Sequence, residues 1–122
     1  MEKDLSIAVL LDFYGDLLTE KQSQALDLYY NEDLSLAEIA EPLGISRQGV
    51  RDSIKRGEKQ LHELENTLGL AKRFKELKGE VIVLQEMFLD LQTYIHTYIP
   101  SDNLSKAVNQ IGEKLSSIND KL

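Results

Sequence analysis

Leu34–Lys59 reads LSLAEIAEPLGISRQGVRDSIKRGEK, and the punctuation of this stretch decides the fold. Ser35-Leu36-Ala37-Glu38 is a capping box: the Ser35 hydroxyl can accept from the Glu38 amide while the Glu38 carboxylate reaches back to the Ser35 amide. Leu34 and Ile39 stand where a hydrophobic staple fixes the angle at which the chain comes in. Gly44, just after Leu43, can take the left-handed conformation that ends a helix. Ser46 then caps a second helix, with Ile45 and Val50 as its staple pair. Two helices joined by a short turn containing glycine make a helix-turn-helix.

Upstream, Thr19-Glu20-Lys21-Gln22 is another capping box, opening a helix to about Tyr30 with Ala25, Leu26, Leu28 and Tyr29 inward. Residues 4–17 predict a helix with Leu5, Val9, Asp12 and Phe13 as one stripe, Leu10, Tyr14 and Leu17 beside it, and a break at Gly15-Asp16. Downstream, Val50, Ile54, Gly57, Leu61, Leu64 and Leu68 keep the second motif helix running to Gly69. Phe74, Leu77, Val81, Leu84, Phe88, Leu91, Ile95 and Tyr98 then alternate spacings of three and four up to Pro100. Ser101 or Asp102 caps a last helix carrying Leu104, Val108, Ile111, Leu115, Ile118 and Leu122. No alternating strand pattern occurs. The expected fold is all-α: a helix-turn-helix bundle over residues 1–68 and long C-terminal helices over 69–122, continuous with it. The C-terminal seam is expected either to pack within the monomer or to serve as a homodimer interface, since leaving it bare costs ~25 cal/mol per Å².

Three residues sit against the helical pattern. Gly49 and Gly57 each cost about 1 kcal/mol relative to alanine, and close approach of the two motif helices would explain Gly49. Pro42 removes an amide and crowds the Glu38 carbonyl, at about 3 kcal/mol, which predicts a short or kinked first motif helix.

The chain has 122 residues, no cysteine and a net charge of −7. Lacking cysteine, it has no disulfide, thiolate zinc site or thiol chemistry. No metal set can be assembled around His62 or His96, and Glu63 and Glu65 read as solvated charges among lysines. There is no Walker-type phosphate loop. The expectation is a protein that is not an enzyme and needs no cofactor. Glu86 and Asp90 interrupt the richest apolar run, and the N-terminus has no signal-peptide pattern, which predicts a cytoplasmic protein without a membrane span.

Positive charge gathers on the second motif helix. Arg47, Arg51, Lys55, Arg56 and Lys59 stand against Asp52 and Glu58, a local balance of +3 in an acidic chain. Helical period puts Val50 and Ile54 inward and Gln48, Arg51, Asp52 and Lys55 outward, where a recognition helix meets the major groove. Gln48 has the amide suited to adenine, Arg51 the fork suited to guanine, and Asp52 could accept from cytosine. Arg47, Lys55, Arg56, Lys59 and the free amides at Ser46 suit phosphates.

Leu18–Leu61 resembles region 4 of bacterial sigma factors, through the helix start at Thr19–Gln22, Leu34-Ser35, Glu38-Ile39-Ala40, Leu43-Gly44-Ile45-Ser46 and Val50. More closely, the chain resembles the YlxM family of small bacterial helix-turn-helix proteins. Asp12-Phe13-Tyr14, Leu17-Leu18-Thr19, Tyr29-Tyr30, Ser46-Arg47-Gln48 and Ile54-Lys55-Arg56 carry that likeness, over about the first 75 residues. It departs at Pro42 and Gly49. The resemblance implies an all-helical DNA-binding regulator of transcription, or an adaptor for the protein or RNA of the signal recognition particle, whose genes neighbour those of the family.

Overall fold

Short polar residues punctuate this chain, and each opens or closes a helix. The structure is a computed structural model describing Met1–Leu122. It contains α1 (Ser6–Tyr14), a single 3-10 turn (Gly15–Leu17), α2 (Glu20–Tyr30), α3 (Leu36–Leu43), α4 (Arg47–Leu68), α5 (Leu70–Tyr98) and α6 (Asp102–Asp120), and no strand. Thr19 accepts from the Gln22 amide at 3.2 Å and Ser35 from the Glu38 amide at 3.1 Å, each with the reciprocal bond of a capping box. Ser46 and Ser101 cap α4 and α6 in the simpler way, by accepting from Gly49 and Leu104. Each bond satisfies an amide that the first turn of a helix leaves without an internal partner.

The helices divide between two compact units, Met1–Ala71 and Lys72–Leu122. In the first, Ile7, Leu10, Leu11 and Tyr14 of α1 meet Ala25, Leu26 and Tyr29 of α2, Ile39 of α3, and Val50, Ile54 and Leu61 of α4 in one core. The stripe expected on α1 is corrected here. Leu5 and Val9 are exposed, as are Asp12 and Leu17; Leu10 and Tyr14 are buried as expected, and Ile7 and Leu11 join them in the core. The sequence SIAVLLDFY is apolar on more than one face, so period alone does not choose among its stripes.

Pro42 lies in the last turn of α3, which is eight residues long as its presence predicts. The helix closes as a Schellman motif. Gly44 takes φ +65°, its amide donates to Glu41 O at 3.2 Å, and the Ile45 amide donates to Ala40 O at 3.2 Å. Close approach between helices belongs to Gly57 rather than Gly49. A Cβ on Gly57 would come within 2.6 Å of Leu26 Cδ1 of α2, whereas one on Gly49 would meet its own turn, Ser46 Oγ at 3.3 Å and Ile45 Cβ at 3.5 Å.

Gly69, at φ +64°, ends α4 by donating to Glu65 O at 2.8 Å, and α5 starts at the next residue. Its first amides find side-chain acceptors: Leu70 donates to Tyr14 Oη at 3.1 Å and Ala71 to Glu65 Oε1 at 3.1 Å. The Tyr14 hydroxyl in turn donates to Glu65 Oε1 at 2.6 Å. Glu65 is therefore no solvated surface charge: it is partly buried and joins the end of α4 to the start of α5 and to α1. Burial first, and the Glu65 acceptor second, push the Tyr14 phenol above its ordinary range.

In the second unit α5 and α6 form an antiparallel hairpin. Gln92 Nε2 donates to Asn109 Oδ1 at 3.2 Å, and the Phe88 ring lies against Gly112, where a Cβ would come within 2.7 Å of it. The heptad row of α5 divides in two. Val81 and Ile95 are buried, with Phe74 and Phe88 partly so, while Leu77, Leu84, Leu91 and Tyr98 stay exposed.

Candidate nucleic-acid interface

The outward face of α4 exists because its inward face is fully used. Val50, Ile54, Gly57 and Leu61 recur at spacings of four, three and four and are buried, which turns the residues between them toward solvent. Ser46, Arg47, Gln48, Arg51, Asp52, Lys55, Arg56 and Lys59 are all exposed. Gln48, Arg51, Asp52, Lys55 and Lys59 share one face, flanked by Arg47 and Arg56 on either side. From Arg47 to Lys59 this row runs about 18 Å along the helix axis at 1.5 Å per residue, enough to follow a groove through several base pairs.

None of Arg47, Arg51, Lys55, Arg56 and Lys59 is ion-paired with a carboxylate of the chain. Of the two acids adjacent to them in sequence, Glu58 is turned the other way. It accepts from the Tyr30 hydroxyl of α2 at 2.6 Å, and burial together with that bond raises the Tyr30 phenol far above its ordinary range. The positive row thus keeps its field while a neighbouring carboxylate is held against the helix behind it.

Asp52 is the exception on this face. It accepts from Gln48 Nε2 at 3.0 Å, one helical turn away. The pair fixes the Gln48 amide plane and uses one amide proton, leaving the Gln48 Oε1 and the second proton outward. Sequence reading treats Gln48 and Asp52 as separate base readers; their spacing of four, which makes i,i+4 partners on a helix, is the signal for the coupling. At the mouth of the helix, Ser46 Oγ takes the Gly49 amide at 3.0 Å, leaving the amides nearer the start of the helix to face solvent or an anion.

The far half of α4 is tied to the N-terminus instead. His62 Nε2 and Asp4 Oδ2 are 2.9 Å apart, and the Asp4 amide donates to Tyr30 Oη at 3.2 Å. Lys3 donates to Tyr29 O at 2.8 Å and pairs with Asp33. Neither histidine stands in a cluster of potential metal ligands. No helix is long and apolar enough to cross a membrane.

Residues 1–98 match the UPF0122 family, described as "Putative helix-turn-helix protein, YlxM / p13 like". The chain is 42% identical over 118 residues to a UPF0122 protein of Acetivibrio thermocellus, covering 97% of each. It is 44% identical over 112 residues to a UPF0122 protein of Clostridium perfringens, covering 89% of this chain and 99% of the relative. A UPF0122 protein of Caldanaerobacter subterraneus is 47% identical over 87 residues, covering 70% of this chain. With the glycine-turned α3–α4 pair at its centre and relatives of this identity along nearly its whole length, the chain belongs to the UPF0122 family of helix-turn-helix proteins.

Proposed function

We propose that the protein is a DNA-binding regulator that lays the first half of α4 in the major groove. The observation that carries this reading is the row of five exposed arginines and lysines, unpaired within a chain of net charge −7 and gathered on the outward face of the second helix of the motif. An acidic protein has many carboxylates with which to neutralise stray cations. A row that escapes all of them has its charge available for another polyanion.

Within this reading Arg51 faces base edges, where its fork can meet guanine O6 and N7, and the Gln48–Asp52 pair reads beside it as one unit. Arg47, Lys55, Arg56 and Lys59 hold phosphates and set the register. The acidic remainder of the chain weakens non-specific binding, so the discrimination between sites rests more on the base contacts.

The test is selection of bound fragments from random duplex DNA at low salt, followed by titration of the selected site. Arg51→Ala is expected to weaken binding by about 5- to 150-fold and relax preference at one position, the ~1–3 kcal/mol of a bidentate base contact. Lys59→Ala is expected to weaken all duplexes alike and lower the salt slope by about 1. A protein that shows no preference for any duplex, and instead retains the protein or RNA of the signal recognition particle, would replace this reading with the adaptor one.

A further inference from the structure

Asp52 is the one acid in the outward row of α4, and its bonding is not what the surrounding charges favour. Lys55 and Arg56 stand three and four residues further on, the spacing at which a helix pairs opposite charges. Asp52 pairs with neither. Side chains on a helix lean toward its start, and the Asp52 carboxylate follows that lean back one turn, where Oδ1 accepts from Gln48 Nε2 at 3.0 Å.

An amide has two unlike ends, and this bond decides which of them faces where. Turned over, the Gln48 amide would set Oε1 against Asp52 Oδ1, two acceptors with no proton between them and one of them charged. The bond therefore holds Nε2 toward Asp52 and leaves Oε1 and the remaining Nε2 proton for a ligand. An acceptor beside a donor is the complement of adenine in the major groove, where the N6 amino group donates and N7 accepts. Guanine offers two acceptors there, O6 and N7, so Oε1 would stand against one of them. A free glutamine escapes that conflict by turning its amino group to the base and giving both protons; Gln48 has only one left to give. Cytosine offers a donor alone and thymine an acceptor alone, so either meets one of the two groups at most.

We propose that Asp52 is a positioning residue for the base contact: it locks the orientation of the Gln48 amide and so commits that point of the interface to adenine. The inference rests on the reading of α4 as a major-groove helix, and adds to it the base taken at one position and the residue that sets the choice. It also gives a reason for a carboxylate on a face otherwise suited to phosphates. The charge weakens binding to every duplex alike, and the lock it provides separates one duplex from another.

The test compares duplexes that differ at one base pair. Fragments selected from random DNA locate the position at which Gln48→Ala loses preference, and titration then compares adenine with guanine there. The full-length chain is expected to favour adenine by about 5- to 150-fold, the range of one bidentate base contact. Asp52→Asn keeps the shape, removes the charge and lets the Gln48 amide take either orientation. It is expected to bind the guanine duplex more tightly than the wild type does, and to lower the adenine-to-guanine ratio at least about fivefold. Both positions are exposed, so neither change disturbs the core. In the free chain, a downfield shift of one Gln48 side-chain amide proton that Asp52→Ala abolishes is expected to report the bond without DNA. Any base but adenine at the Gln48 position, a selected site in which no preference depends on Gln48, or an adenine preference that Asp52→Asn leaves intact would overturn this inference and leave the reading of α4 in place. So would Gln48 amide signals that Asp52→Ala does not change. A chain with no preference for any duplex would remove the reading of α4, and this inference with it.

Discussion

The two units of this chain are both helical, yet they stand differently as folded objects. Of the seventeen buried hydrophobic residues, thirteen lie in Met1–Ala71 and form one cluster, while Lys72–Leu122 contributes only Val81, Ile95, Val108 and Leu115. The first unit has four helices crossing around shared side chains, so every inward face is covered. The second has two helices, and two helices cover only one flank of each other. The lesson is that an unbroken heptad spacing reports how much apolar surface a helix carries, and not how much of it the same chain can bury.

The strongest test of this contrast is to remove equivalent apolar bulk from each unit. Ile54→Ala, at a fully buried position between α1, α2 and α3, is expected to cost about 2–5 kcal/mol in urea unfolding, through lost burial and a cavity that the close-packed helices cannot collapse. Leu91→Ala is expected to cost a single chain much less, since about half of the side chain is already in water. Equal losses at the two positions would erase the distinction between the units.

A pair of glycines sharpens the same comparison with a smaller effect. A Cβ on Gly57 would lie 2.6 Å from Leu26 Cδ1, and one on Gly112 would lie 2.7 Å from Phe88 Cε1 and Cζ. Alanine gains about 1 kcal/mol of helix propensity at either site. At Gly57 the clash falls on a fully buried leucine in a closed core, where overpacking costs about 1–3 kcal/mol, so Gly57→Ala is expected to be neutral to clearly destabilising. At Gly112 the obstructing ring lines an open groove and has room to turn, so Gly112→Ala is expected to be neutral or stabilising. Thermal melts of the two variants give the comparison directly. If Gly112→Ala were the more costly, the hairpin would be packed as tightly as the core.

What could be read in advance was whatever one turn of chain decides. Thr19, Ser35, Ser46, Gly44 and Gly69 act on partners within a few residues, and the helix boundaries follow from them. The buried face of α4 was legible for a related reason, since its apolar residues admit only one stripe. The outward row of α4 came with that face. The Gln48–Asp52 bond within the row needed the spacing of four to be weighed as well as the face. What depends on distant partners was not legible. Glu65 is placed by Tyr14, fifty-one residues earlier, and nothing near Glu65 announces that bond. Gly57 and Gly49 are alike in sequence terms, and only the passage of α2 across α4 assigns the close approach to Gly57. On α1, Leu5 and Val9 have the right period and the wrong side, because the choice among its apolar stripes is made by helices further along.

The smallest expected effect lies at the rim of the first unit, where charge rather than core holds the chain. Asp4 accepts from the Ser6 amide at 3.0 Å and from Ser6 Oγ at 2.6 Å, and it lies 2.9 Å from His62 Nε2 of α4. The Ser6 bonds, more than His62, hold its carboxyl below the ordinary 3.8. Lys3 does the same to Asp33. A carboxyl lowered on folding contributes stability that is present above its unfolded value and lost as pH falls through the folded one. Acidification below about 3.8 should therefore release Met1–Ser6 while the cluster around Ile54 stays closed. Both carboxylates are largely exposed, so the loss should be too small to move the global melt and should appear as local opening. The readout is amide exchange at Ile7, whose amide donates to Asp4 O at 3.0 Å, compared above and below that pH. Asp4→Asn should blunt the acid step by removing the carboxylate, leaving only the smaller part due to Asp33. If Ile7 and the core amides opened together, the rim would belong to the same cooperative unit as the core, and the closed first unit would extend to the N-terminus itself.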